Sequence, residues 1–532
     1  MTTHPPLLPE SPRETPPASS LASPRGNLLG TSLALAIYFA LAKLILHLLT
    51  NGRYGYARDE LYFLACGEHL DWGYVDFAPM VALIAKASRA LLGDSLHAIR
   101  FLPAVAGAAK VLLTGLIARE LGGRRFAVAL ACLSALLAPV YLAIDTPLTM
   151  NPFEPLCWMG CAYAVLLAVN REDPKFLLWV GLCSGLGLEN KHSMVFFGFA
   201  LVVGLLLSPQ RRFFRNKWIW IAGALALALF LPNLIWEVRH HWPTIEALSN
   251  VKQTHKNLDR PPLQFIAQQI LMMHPAIILV WGAGLWFFFR PDGKRYRVLG
   301  WTFVVLFALM MAIQGKGYYL APAYPMLLAA GGVLWERLLG DGPRLAWIKF
   351  ALPALLVLTA LPALPFVLPV LPVETLLRYQ TALGVRPPLT EVAHTGPLPE
   401  NLGDMFGWPE MLATVAEVYH RLPPAQRAKT AILAGNYGQA AAVDFFGPRY
   451  GLPKAISAHQ SYYLWGPRDY TGESMILLQW NRADAERICT SVEDGPRLDP
   501  PYAMAEEHFT VLVCRGTKRP LQELWPSLKL WN

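Results

Sequence analysis

The chain has 532 residues, 54% of them hydrophobic and 16% charged, and a mean hydropathy of +0.34. A soluble domain carries about 45–50% apolar and about 25% charged residues, so the composition excludes a purely soluble enzyme and predicts an α-helical polytopic membrane protein with a soluble part attached. The net charge of +9 has the sign that nucleic acid attracts, but in membrane proteins Lys and Arg collect in cytoplasmic loops, and no nucleic-acid partner is expected.

In chain order, residues 1–28 are read as a disordered cytoplasmic N-terminus, because Met1–Arg25 is rich in Pro, Ser and Thr and poor in apolar residues. Leu29–Leu49 is the first membrane span, starting too late and running too long for a cleavable signal peptide. The segment Tyr54–Pro79, YGYARDELYFLACGEHLDWGYVDFAP, follows as the most charged part of the first outer loop, residues 51–101. Met80–Leu92 carries Lys86 and Arg89 and is too short to span, so it is expected along the interface. Further spans are expected at Leu102–Ala118, Phe126–Ile144, Leu156–Val169, Phe176–Leu188, Met194–Leu207, Trp218–Trp236, Phe265–Phe289, Val298–Ile313, Leu320–Leu339 and Ala346–Val370. That makes about eleven spans in a transmembrane domain of residues 29–370.

Alternate loops are basic: Arg119, Arg124 and Arg125; Arg171 and Lys175; Arg211, Arg212, Arg215 and Lys217; Arg290, Lys294, Arg295 and Arg297; Arg337 and Arg344. The positive-inside rule makes these loops cytoplasmic. The Tyr54–Pro79 segment and everything after Val370 then fall outside. The outer loops still hold Arg53, Arg58, Lys86, Arg89, Arg100, Lys191, Arg239, Lys252, Lys256 and Lys316. Cations placed against the insertion bias call for an anionic partner such as a lipid phosphate or pyrophosphate.

From residue 371 the pattern changes. PEMLATVAEVYHRL, GQAAAVDFF and RADAERIC read as helices, and TAILAG, SMILLQW and FTVLVCRG as strands, which predicts a C-terminal α/β domain over residues 371–532. Cys489 and Cys514 lie in this part and are expected to pair if the compartment is oxidising. The other five cysteines show no metal spacing and read as small core residues.

Asp59 and Glu60 are adjacent, so on a helix they point about 100° apart and cannot face one small cavity together. One is expected to act as a general base toward a sugar or lipid hydroxyl and the other as a support. A solvated helix start explains RDE equally well on composition, since acids favour a first helical turn. Other polar groups expected on the same side are Asp145 in AIDTPLTMNPFE, Glu189, Lys191 and His192 in GLENKHSM, and Lys316, Tyr318 and Tyr319 in QGKGYYLAP. Arg58 and Lys86 join Lys191 and Lys316 as phosphate-binding candidates. Trp72, Trp408 and Trp465 are candidates for sugar stacking, interface anchoring being the blander reading. His240, His241 and His255 lack ligand spacing, and no metal site is assigned.

YGYARDELYFLACGEHLDWGYVDFAPMVALIAK, IDTPLTMNPFEPLCW, GLGLENKHSMVFFG and KGYYLAPAYPMLLAAGG resemble bacterial members of glycosyltransferase family 39. These are GT-C enzymes, among them protein O-mannosyltransferases and the lipid A aminoarabinose transferase. The resemblance covers Leu29 to about Val370. It implies transfer of a sugar from a polyprenyl-phosphate donor to a lipid, glycan or protein acceptor, with inversion, on the outer face of the bacterial inner membrane. Asp59 is by position the family's candidate base. One departure is that Asn190, Lys191 and His192 stand where many relatives have threonine, lysine and glycine. No cofactor is expected to be required, and a divalent cation is left open. The absence of a GxGxxG or P-loop pattern agrees with a lipid-carried donor. A polar-lipid flippase, or an oligosaccharide ligase of the same fold, are the alternatives.

Overall fold

A computed structural model describes residues 31–254, 261–385 and 394–532. The expected N-terminal tail, His255 and Lys256 lie outside the described residues. Among the described residues, Ser32–Thr50, Leu96–Glu120, Lys217–Arg239, Pro291–Ala312 and Pro343–Val367 are helices long and apolar enough to cross a membrane. They coincide with five of the expected spans. Two more, Met194–Leu206 with Pro209–Arg215 and Pro262–Met273 with Pro275–Phe289, are bent by 105° and 97°, so the total on this criterion is five to seven rather than eleven.

Part of the difference is length, since Glu154–Asn170 and Leu177–Asn190 are helices of 17 and 14 residues, and part is proline. The expected Phe126–Ile144 span divides into Arg125–Leu137 and Pro139–Ile144, with Ala138 extended at the break. The Phe265–Phe289 run breaks at His274–Pro275, where His274 adopts φ 81°. In both places proline brings no backbone N–H to the helical ladder and disfavours helical geometry in the residue before it. The Leu320–Leu339 run opens as a 3-10 turn, Gly317–Ala323, before the Tyr324–Leu339 helix.

The C-terminal part forms a five-stranded sheet of order β2-β1-β3-β5-β4, with strands β1 (Thr430–Ala434), β2 (Ile456–Ser457), β3 (Ser474–Leu478), β4 (Cys489–Leu498) and β5 (Phe509–Thr517). β1 runs parallel to β2 and β3, whereas β5 is antiparallel to β3 and β4. β1 and β3 are buried throughout, which is why they read as continuous apolar runs. A disulfide joins Cys489 to Cys514 across β4 and β5, with Cα atoms 5.7 Å apart.

The helix Arg58–Glu68, called here the RDE helix, belongs by sequence to the membrane part but packs in the core of the C-terminal part. Its Leu61, Tyr62, Phe63, Leu64 and Cys66 are buried in one cluster with Trp408, Met411, Ile432, Ala440 and Val443. Each large apolar side chain so buried contributes about 1.5–3 kcal/mol. The chain boundary at residue 371 is therefore not a packing boundary.

Candidate active site

The RDE helix starts with three consecutive charges that go three ways. Glu60 is fully buried. Its Oε2 accepts from the Ala57 N–H at 2.8 Å and from Arg100 Nη2 at 2.7 Å. Its Oε1 accepts from Arg100 Nε at 2.8 Å and from the Leu148 N–H at 2.9 Å. Arg100, also buried, donates in addition to the carbonyls of Asn51 and Gly55. Glu60 thus ties the loop after the first span to the 145–153 turn, and all its acceptor capacity is engaged.

Asp59 is only partly buried, and its Oδ1 accepts a hydrogen bond from the Tyr437 hydroxyl at 2.9 Å. Arg58 pairs with Glu506 and lies 5.6 Å from the Tyr437 ring centroid. Gly438 makes that approach feasible, because a Cβ there would meet Arg58 Cγ at 2.3 Å.

Lys191, Tyr318 and Tyr319 come together. The Lys191 Nζ donates to Asn151 Oδ1 at 2.9 Å, pairs with Glu154 at 3.0 Å, and sits 4.7 and 5.3 Å from the Tyr319 and Tyr318 ring centroids. Glu154 also accepts from the Ser193 hydroxyl. The Tyr318 phenol is pushed well above its ordinary value by burial, then by Tyr319 and by the carboxylates of Glu400 and Asp59. Those two acids are therefore near enough to bear on the Tyr318 phenol, which with Tyr319 flanks the lysine.

The remaining candidates lie elsewhere or bind otherwise. Asp145 is fully buried, held by Lys110 at 2.6 Å and Lys43 at 3.1 Å. Lys86 is exposed on the Met80–Leu92 helix and has no ion pair with a described residue. Lys316 is half-buried at the start of the Gly317–Ala323 turn. Glu189 and Trp72 line a separate, mostly apolar cavity of about 520 Å³ with Leu70, Met80, Leu186 and Leu229. Trp408 is a core residue whose indole N–H donates to the Tyr56 carbonyl, and Trp465 stacks on His69. His240 stacks on Trp236.

Sequence reasoning missed Glu154, Asn151, Tyr437 and the acid–histidine group behind Arg58. Glu154 and Asn151 sit in the quoted NPFE turn, but nothing local shows that they meet Lys191 about forty residues on. His394 Nε2 lies 2.8 Å from Asp404 and its Nδ1 3.3 Å from Glu506. Burial opposes its charge, but Asp404 and Glu506 outweigh that and raise His394 to about 10. Glu507, buried beside Glu506, is raised to about 7 chiefly by burial. Ligand-type atoms of His394, Glu400 and Asp404 lie within 4.8 Å of one another, the one such group among the described residues. A protonated His394 occupies that group as a cation, and a divalent ion would have to displace its proton.

Comparison with known proteins places these features in context. A family model described as dolichyl-phosphate-mannose-protein mannosyltransferase matches residues 76–236. That stretch contains Asp145, Glu154 and Lys191 but not the RDE segment. The lipid A galacturonosyltransferase RgtD of Rhizobium johnstonii is 28% identical over 276 residues, 49% of this chain and 56% of the relative, so the match spans little more than half of that protein. The crystal structure of ArnT from Cupriavidus metallidurans bound to undecaprenyl phosphate superposes with a TM-score of 0.59 at 14% identity, over 90% of this chain and 97% of that one. Its apo form gives 0.58 at 13% identity over the same shares. The fold is that of these enzymes.

Proposed function

We propose that this chain, a glycosyltransferase family 39-like protein of the GT-C fold, moves a sugar from a polyprenyl-phosphate donor to an acceptor hydroxyl, most simply on a lipid. The observation that carries the reading is that a partly exposed carboxylate, Asp59, bears on the Tyr318 phenol, which with Tyr319 flanks a lysine, Lys191. The lipid A galacturonosyltransferase relative supports a lipid acceptor, and the undecaprenyl phosphate bound to ArnT supports the donor type.

In the reaction, Asp59 takes the proton of the acceptor hydroxyl as its oxygen attacks the anomeric carbon. The carbon–oxygen bond to phosphate breaks, its electron pair leaves on the phosphate, and the configuration inverts. Charge grows on that phosphate in the transition state, where a preorganised cation stabilises it most. Of the three Lys191 N–H groups, Asn151 and Glu154 engage two, and the third serves the phosphate. Tyr318, kept protonated by burial, is a second donor. The alternating basic loops support an extracytoplasmic site at the inner membrane. No step in this scheme draws on a divalent cation.

Membranes containing the protein, supplied with radiolabelled polyprenyl-phosphate sugars, test the reading. Transfer of label to lipid with stoichiometric release of polyprenyl phosphate is expected. Movement of intact donor across the bilayer without cleavage would establish the flippase alternative instead. Transfer only from oligosaccharide-linked donors would establish the ligase.

A further inference from the structure

We infer that Tyr437 of the C-terminal part is the positioning residue for Asp59, fixing one carboxylate oxygen so that the other is presented to the acceptor hydroxyl. The inference rests on Asp59 being the general base.

The hydroxyl and the ring of Tyr437 have separate tasks in the structure. The ring stacks on Tyr62 with centroids 4.4 Å apart and on His459 with centroids 5.0 Å apart, with Arg58 5.6 Å from its centroid. Its backbone N–H donates to His459 Nδ1 at 3.2 Å. Tyr62 is itself fixed, donating to Asp76 Oδ1 at 2.9 Å and accepting from the Ser461 N–H at 3.1 Å. A side chain held from this many directions places its hydroxyl with little freedom, and that hydroxyl donates to Asp59 Oδ1 at 2.9 Å. Packing alone needs a ring and no hydroxyl. The hydroxyl is what reaches across from the C-terminal part to the membrane part's acid.

The groups that bear on this contact are Arg58 and Tyr62 from the RDE helix, Asp76 from the segment that follows it, His459 after β2, and, on the Asp59 side, Tyr318 and Glu400. Burial, then Asp59 and Asp76 against the opposing Arg58 charge, keeps the Tyr437 phenol protonated well above its ordinary value. It is therefore a permanent donor to Asp59. A donor of this kind holds its carboxylate against rotation, which is where an active-site acid gains from its supporting groups.

The experiment compares Tyr437→Phe, Asp59→Asn and the double variant in the full-length chain in proteoliposomes, with a polyprenyl-phosphate sugar donor. Phenylalanine keeps the stacked ring, so thermal stability should stay close to that of the unaltered protein. In Tyr437→Phe, kcat should fall about 10-fold to 100-fold, the range for a hydrogen bond to a charged group. The apparent donor KM should stay within about twofold. Adding Tyr437→Phe to Asp59→Asn should cost nothing more. A rate unchanged by Tyr437→Phe, with Asp59→Asn impaired, would overturn the positioning role and leave the base in place. A Tyr437→Phe loss that persists in the Asp59→Asn background would overturn it too. Unimpaired Asp59→Asn would remove the base reading and this inference with it.

Discussion

Glu60→Gln separates the two acids of the RDE segment by stability. The substitution keeps the side chain's shape and one carbonyl acceptor, but in either orientation its amide group turns a donor toward the Arg100 guanidinium and one backbone N–H, that of Ala57 or of Leu148, all donors themselves. Arg100 is fully buried, and with Glu60 neutral it becomes a desolvated charge compensated only by the Asn51 and Gly55 carbonyls. Removing one member of a buried pair costs about 3–5 kcal/mol. For a cooperative unit of the size of the C-terminal part with the RDE helix, that is a fall in apparent melting temperature on the order of 10 °C. Thermal unfolding in detergent, followed by the fraction remaining monodisperse, reads it, and the molecules still folded at low temperature should turn over at close to the normal rate. Glu60→Gln of normal stability and no turnover would refute the reasoning and make Glu60 the chemical group. A stability recovered in part by adding Arg100→Met would support it, since two apolar partners leave no stranded charge.

Asp59→Asn should lower kcat by about 10²–10⁴-fold with donor binding retained, read by single-turnover transfer and donor titration. Lys191→Ala should raise the apparent donor KM about tenfold, whereas Lys86→Ala, exposed on its helix, should shift it less than threefold; equal effects would move the phosphate site toward the Met80–Leu92 helix. His394 is raised to about 10 by Asp404 and Glu506, against burial. Its contribution to stability is therefore full below about pH 6.5, the unfolded value, and is lost as pH rises toward 10. Melting temperature measured from pH 6 to 10 should fall less in His394→Gln than in the unaltered protein, and parallel curves would exclude the linkage.

Much of the fold was legible because the signals are local. Apolar runs of span length appear as helices, and the fully buried β1 and β3 announced themselves as TAILAG and SMILLQW. β4 was missed, since its TSVEDGPRL run is polar and partly exposed at the edge of the sheet, where charge protects an unpaired edge. Proline divides two of the expected apolar runs, and length on its own does not reveal a bend at Ala138–Pro139 or His274–Pro275. In the site, the chemistry-bearing types were legible but their partners were not. Asp145 read as an outer polar group, and the structure buries it between Lys43 and Lys110 from two other helices. Nothing in the periodicity of any one segment pairs charges about 100 and 35 positions apart.

The three charges of RDE show why the site forms at a junction. Successive helix positions diverge by about 100°, so Arg58, Asp59 and Glu60 cannot serve one partner. Glu60 turns inward to Arg100, just before the Phe101–Glu120 helix, and fixes the helix start to the membrane part. Arg58 turns to Glu506 and fixes the same turn to the C-terminal part. Asp59, between them, is left partly accessible and meets Tyr437. A hydrogen bond at that one position depends on how the C-terminal part docks through Arg58 and Glu506, since a shift of about 1 Å between the two parts would break its geometry. The C-terminal part therefore sets the orientation of the acid, and loosening its docking at Trp408 or Glu506 should reduce turnover even though neither residue meets substrate.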